Sequence, residues 1–379
     1  SYSDGGRALL TTQVIREGGI LRLDNSVTNT TNRLASVLTG ATNSTINISG
    51  GRFEVVPNAS ISTSELITTL TIGNGAGEMV LDAAAGSGIL VTASNLSGVQ
   101  NGGTLWLKGD LNAAGVSGTA AGFGNLAVTN FPNYAGQATG ANGAFNMMVR
   151  SDIIGSALDG SGLAFVTKDS VSGYLRPLAA NEMRTALANL SQDNFALSSN
   201  ALITSNGAVN SLLLNDAGGI SNGLSAAYGL FQASGTILTE TIRTGGVIAM
   251  EGNAGLNVPA LGSSSGFYVF HVMGDTSVLN VNSIIGNANG NGLWLSGGGT
   301  LNINQRSLYT GTTSVNEGRL VLNGGANTIV VTPSTTLLTN TAQFQSVAVN
   351  GGVLDLNGNS QMIGTLFTTN PNVSSGVLT

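Results

Sequence analysis

The chain has 379 residues, of which 8% are charged and 41% hydrophobic, with 55 glycines, 6 prolines and no cysteine. Thirteen basic against 19 acidic residues give a net charge of −6, and Lys108 and Lys168 are the only lysines. These figures exclude disulfides, thiolate metal sites and cysteine nucleophiles, and they speak against nucleic acid and anionic membrane surfaces, both of which require clustered basic residues.

The hydrophobic fraction is high enough to bury a core, so the chain is not of the charge-rich disordered kind. Its polar surface must come from Ser, Thr, Asn and Gly, which can stack in neutral ladders where like charges would repel. No stretch approaches 18 consecutive apolar residues, so no transmembrane helix is expected. Ser1-Tyr2-Ser3-Asp4 lacks the basic and apolar regions of a signal peptide, and the final residues lack the alternating strands of a membrane barrel. The expectation is a section of a longer surface protein.

In chain order, the first element is Gly19-Ile20-Leu21-Arg22-Leu23, a glycine followed by apolar residues at every second position. The same skeleton recurs at Gly51-Arg52-Phe53-Glu54-Val55 and Gly103-Thr104-Leu105-Trp106-Leu107. Alternation predicts strands with one buried and one solvated row, and the leading glycine is expected to supply a positive φ at each corner. Leu70-Thr71-Ile72 reads as a further strand.

Residues 115–143 form a Gly/Ala-rich stretch with Phe123, Phe131, Pro132 and Tyr134, expected to be a loop excursion. From 145 to 200 the repeat fades. Met183, Ala186, Leu187 and Leu190 stand at helical spacing after Pro177, which predicts one short helix near 178–190. This less regular insert reads either as a cover for the strands or as a docking excursion.

Strand patterns resume at Leu212-Leu213-Leu214-Asn215, at Val278-Leu279-Asn280-Val281 and at Ile284-Ile285-Gly286. The skeleton then returns at Gly299-Thr300-Leu301-Asn302-Ile303, Gly318-Arg319-Leu320-Val321-Leu322 and Gly352-Val353-Leu354-Asp355-Leu356. Units of this size stack, each burying its apolar row on the next.

Between Gly297 and Gly324 the chain resembles the autotransporter-associated β-strand repeat of Gram-negative surface proteins. The resemblance rests on Leu308-Tyr309-Thr310-Gly311-Thr312-Thr313 followed by Val315-Asn316-Glu317-Gly318, with Ser307 where the family usually has Asn two residues before the Tyr. It extends back to about Val278, and looser likeness appears from Gly19 to Leu34 and at Phe165-Val166-Thr167 with Leu175-Arg176-Pro177-Leu178. The repeat and the resemblance together imply an all-β chain, one continuous right-handed parallel β-helix (β-solenoid) over 1–379 with loop excursions and one short helix.

Parallel β-helices also include carbohydrate-active enzymes, which need convergent carboxylates or acidic clusters. The nearest candidates are Glu78 with Asp82, Asp152 with Asp159, and Asp169 with Lys168 and Arg176, each read more simply as a solvated turn. The single histidine, His271, lies within Phe267-Tyr268-Val269-Phe270-His271-Val272-Met273 and reads as a hydrogen-bonded strand residue. No catalytic, cofactor-binding or metal-binding residue is assigned and no cofactor is expected. The functional expectation is a non-enzymatic extracellular stalk, fibre subunit or adhesin passenger at the surface of a Gram-negative bacterium. Its expected partners are further copies end to end, surface polysaccharide or other cells. The alternatives are a carbohydrate-active β-helix enzyme and a sugar- or partner-binding module using the 115–143 stretch.

Overall fold

The computed structural model describes residues 12–34, 44–98, 102–111, 118–132, 139–186, 192–203, 205–215, 219–221, 239–286, 292–329, 345–369 and 376–378. Among them the regular elements are all strands except a three-residue 3-10 turn at Ala180–Glu182. None of the described residues forms a helix long and apolar enough to cross a membrane. The chain divides into two compact units, the first ending at Ala179 and the second running from Ala180 and including Phe145–Met147.

The first unit contains β1 (Thr12–Arg16), β2 (Ile20–Asp24), β3 (Thr45–Ser49), β4 (Arg52–Val56), β5 (Thr63–Ile72), β6 (Ala76–Leu81), β7 (Ile89–Ser97), β8 (Thr104–Gly109), β9 (Gly124–Asn130), β10 (Val149–Ser156), β11 (Ala164–Lys168) and β12 (Tyr174–Pro177). Odd-numbered strands β1 to β9 form one parallel ladder and even-numbered strands β2 to β10 another, with the chain alternating between them. β11 and β12 pair antiparallel and bridge β10 to β9, so a single 12-stranded sheet nearly closes on itself, with β1 and β2 as its free edges.

Alternation fixes which side of each strand is buried. In Thr45-Ile46-Asn47-Ile48-Ser49 the two isoleucines enter the core and stack in register on Leu70 and Ile72 of β5. On the other ladder Phe53, Met79 and Leu107 make an equivalent row.

Among the described residues the second unit makes eight circuits. Strands β13 (Asn194–Leu197), β14 (Asn200–Leu202) and β15 (Gly207–Val209) form the first; β16 (Ser211–Asn215), β17 (Gly219–Ser221) and β18 (Thr239–Ile242) the second; β19 (Gly246–Met250), β20 (Asn253–Asn257) and β21 (Ala260–Ser263) the third; β22 (Phe267–Met273), β23 (Val278–Val281) and β24 (Ile284–Ile285) the fourth. The remaining four contribute two strands each: β25 (Gly292–Ser296) with β26 (Thr300–Ile303), β27 (Thr313–Val315) with β28 (Arg319–Leu322), β29 (Ser346–Val349) with β30 (Val353–Asp355), and β31 (Thr365–Phe367) with β32 (Gly376–Leu378).

Strands from successive circuits pair parallel, giving two ladders of eight strands and a third of four. Along the first ladder Leu212, Val247, Phe270, Leu295, Val315 and Val349 share one buried row. Leu256, Val281, Ile303 and Leu322 do the same on the second. Beyond β24 the third side is carried on by a bridge between Ser307 and Ile329, and Tyr309 is buried with its hydroxyl 2.7 Å from Thr313 Oγ1.

Three sequence expectations are corrected. The 115–143 excursion contains β9, whose Leu126 and Val128 enter the core; glycine and alanine on both sides hide a normal alternating strand. The described part of the expected 178–190 helix has only the 3-10 turn, and residues 187–190 lie outside the described residues. Pro177 ends β12, and the backbone of Arg184 instead bonds to Asn194 and Ala196, so a strand bridge takes the hydrogen bonds a helix would need.

The third correction concerns the repeat glycines. Positive φ falls one residue earlier, at Gly18, Gly50 and Gly102, and of the repeat glycines only Gly318 has it. What Gly51, Gly103 and Gly352 provide is clearance, since a Cβ there would lie 2.4 Å from Arg16 O, 1.5 Å from Gly73 O and 2.6 Å from Gly318 O respectively. At these corners one circuit's backbone crosses the backbone of the circuit beside it.

Gly103→Ala is therefore expected to destabilise the first unit by about 1–3 kcal/mol, as overpacking does. Gly376→Ala, with nothing within 4 Å of its Cβ position, should change stability little. Denaturant unfolding of the two variants checks the contrast.

Candidate functional site

The charged residues of the first unit concentrate on the outward face of the even-numbered ladder. Because Phe53 and Val55 point inward, Arg52 and Glu54 point out, and neighbouring rungs place Arg22, Glu78, Trp106 and Lys108 beside them. Glu54 accepts from Arg22 Nε at 2.7 Å and Arg52 at 3.2 Å, while Glu78 accepts from Lys108 Nζ at 2.6 Å. Lys108 also sits 3.5 Å above the Trp106 ring, and the indole N–H donates to Ser156 Oγ at 2.9 Å. Glu78 is thus held by cations, and its expected companion Asp82 is exposed just beyond β6.

Asp152 and Asp159 also part company. Asp152 lies in a β-bulge between Arg150 and Ile154, where the Arg150 guanidinium donates to it at 2.7 Å with both side chains fully buried. Asp159 is exposed in the β10–β11 turn, accepts from Ser161 and has its pKa lowered by that bond.

The third expected group is assembled in part. Asp169 accepts from Arg176 Nε at 2.9 Å, Asn142 Nδ2 at 2.8 Å and the backbone N–H groups of Val171 and Ser172 at 3.0 and 2.8 Å. Burial alone would raise its pKa, yet the Ser172 N–H, the Arg176 guanidinium and the other donors hold it well below the usual carboxylate range. Lys168 turns away and donates to Thr129 O at 3.0 Å. This cluster clamps the β11–β12 hairpin that closes the 12-stranded sheet.

In the second unit His271 is fully buried, with Nδ1 2.6 Å from Ser296 Oγ one rung away. More extensive are rows of asparagines that the sequence reading did not single out. Asn282, Asn304, Asn323 and Asn357 each donate from Nδ2 to the Oδ1 of the residue one rung before, starting at Asn257, over 2.6–3.0 Å. Asn280 and Asn302 extend a second row from Asn253, and Asn350 bonds Asn316 at 2.9 Å. Among the described residues no three His, Cys, Asp or Glu side chains gather into a cluster.

Comparison with protein-family models, curated proteins and solved structures found no match.

Two glutamates were also passed over in the sequence. Glu65 is buried, with Oε2 accepting weakly from Leu34 N at 3.4 Å. Burial pushes its pKa up to about 7, against the opposing pull of the Leu34 and Arg33 N–H groups and the Arg33 charge. Glu240 is buried on β18, and desolvation likewise raises it to about 7. Neither stands near another carboxylate in sequence, and only cross-strand register reveals their burial.

The carboxylates that are met by cations are therefore held singly, in ion pairs that fix loops and rungs. Asp169→Asn keeps the shape but removes the charge facing buried Arg176, and it is expected to cost about 3–5 kcal/mol at neutral pH. Because the folded-state pKa of Asp169 is depressed, this stabilisation is present above the unfolded value of 3.8 and fades as pH falls below it. The gap between the denaturant midpoints of wild type and variant should hold from pH 7 to about pH 4 and narrow progressively as pH falls further; a gap that stays constant below pH 4 would show that the Asp169 charge is not responsible.

Proposed function

We propose that the chain is a section of an extracellular right-handed parallel β-helix, related to autotransporter passengers, that serves as a stalk, fibre subunit or adhesin on the surface of a Gram-negative bacterium. The observation that carries this reading is the in-register stacking of parallel strands. Apolar rows run inside, while neutral amide rows and single ion pairs run outside. Such a construction extends by adding rungs and spends its polar groups on register. The reading requires no cofactor and assigns the chain no catalytic chemistry.

End-to-end self-association belongs to the same proposal. Among the described residues β31 and β32 are the outermost strands of their ladders, and Leu366 is 48% exposed where its neighbour one rung earlier, Val347, is fully buried. Between Asp355 and Leu378 no further charged residue stands to discourage strand pairing.

Displayed on a non-adherent Gram-negative cell through an outer-membrane anchor, the chain should promote cell clumping or attachment to a polysaccharide-coated surface. Full display with neither gain would remove the adhesin role, and hydrolysis of a polysaccharide by the purified chain would overturn the non-enzymatic reading. In sedimentation, the wild type should associate with rising concentration and Leu366→Lys should not; identical profiles would dismiss the end-to-end contact.

A further inference from the structure

Glu240 stands between Gly207 of β15 and Leu261 of β21 in the third ladder of the second unit. Register places it in the inward row of Leu261 and Ile285, both members of the apolar core. The residue is 1% exposed, and among the described residues neither carboxylate oxygen has a hydrogen-bond partner. Gly207 offers no side chain to contact it from the adjoining rung.

Among the described residues no cation faces this carboxyl from the elements around it. β15 and β21 carry no ionisable side chain, nor do β16, β17, β19 and β20 of the same and following circuits. Between Asp193 and Arg243 the only Asp, Glu, Lys, Arg or His residues are Asp216 and Glu240 itself. Asp193 is paired with Arg184. Arg243 stands beyond β18, which ends at Ile242, and the cause of the Glu240 shift is burial, with no contribution from a neighbouring cation. Glu65 in the first unit differs, since it has a backbone N–H donor and the charge of Arg33 close by.

An ionised carboxylate in such surroundings loses its hydration and gains nothing in exchange, whereas the neutral acid is tolerated far better. We propose that Glu240 is a proton-dependent latch. When protonated it lets the third ladder close over the core, and when ionised it loosens β18 from β15 and β21 while the first and second ladders stay paired. This goes beyond the structural role proposed above and does not depend on where the chain resides.

The direction follows from linkage. The folded-state pKa of about 7 exceeds the ordinary glutamate value of 4.5, so the unfolded or opened segment releases its proton first as pH rises. The latch is fully closed below about pH 4.5 and is lost as pH climbs through about 7. Over that window the opening equilibrium can grow by up to about 300-fold.

Hydrogen exchange of the full chain, expressed as protection factors at pH 5 and pH 8.5, tests the proposal. Peptides covering 207–209, 239–242 and 260–263 should lose about tenfold or more protection at the higher pH, while those covering β25 to β28 should not. Glu240→Gln, nearly the same shape and unable to ionise, should abolish the difference. Equal wild-type protection at both values, or an unchanged loss in the variant, would overturn the latch. Should the variant fail to fold, infrared spectroscopy of wild type with isotope-labelled glutamate at pH 6 supplies the second test. A protonated, non-hydrogen-bonded carboxyl signal that titrates near neutrality is expected, and its absence would sink the proposal.

Discussion

Everything in both units depends on register between neighbouring parallel strands. A one-residue slip would turn Leu212, Val247, Phe270 and Leu295 to the outside and bring their neighbours in, exchanging an apolar row for one of different size and polarity. Burial of these rows supplies the main favourable free energy, and it is available only when each rung lies over the last. The corner glycines serve the same constraint, because Gly103 lets one backbone cross another where any side chain would hold the rungs apart.

Polar residues refine that register rather than create it. On the first unit, Arg22, Glu54, Arg52, Glu78 and Lys108 alternate in sign from rung to rung, so a shifted strand would set like charges together. Exposed pairs of this kind contribute little stability singly. Their value is discrimination between alignments. The buried clamp of Asp169, Arg176 and Asn142 does more, since it fixes the hairpin through which the two ladders become one sheet.

Much of the strand pattern was legible from the glycine-led skeletons. Those at Gly19, Gly51 and Gly103 lead into β2, β4 and β8, and those at Gly299, Gly318 and Gly352 into β26, β28 and β30; within each set the strands are successive or nearly successive members of one ladder. β10 was hidden because all eight of its residues are buried, so Val149–Ser156 shows no alternation. The helical spacing after Pro177 has no helix behind it among the described residues, where backbone pairing at Arg184 takes its place. The amide rows escaped notice because their members lie 22, 19 and 34 residues apart, intervals set by unequal loops between equal rungs. Glu240 lay beyond local reading, because Thr-Glu-Thr-Ile alternates equally well with either face inward until Leu261 decides the matter.

The asparagine row from Asn257 to Asn357 also has a sense of direction. Asn282, Asn304, Asn323 and Asn357 donate from Nδ2 toward the earlier rung, and Asn257, Asn282, Asn304 and Asn323 accept at Oδ1 from the later one, so the amide dipoles align and polarise one another along the stacking direction. The row is vectorial, like a one-way street of hydrogen bonds. Each later rung of the row therefore meets an oxygen on the rung before it and must bring a donor. The two directions along a neutral, repetitive stack of strands are thereby made chemically distinguishable without a single charge.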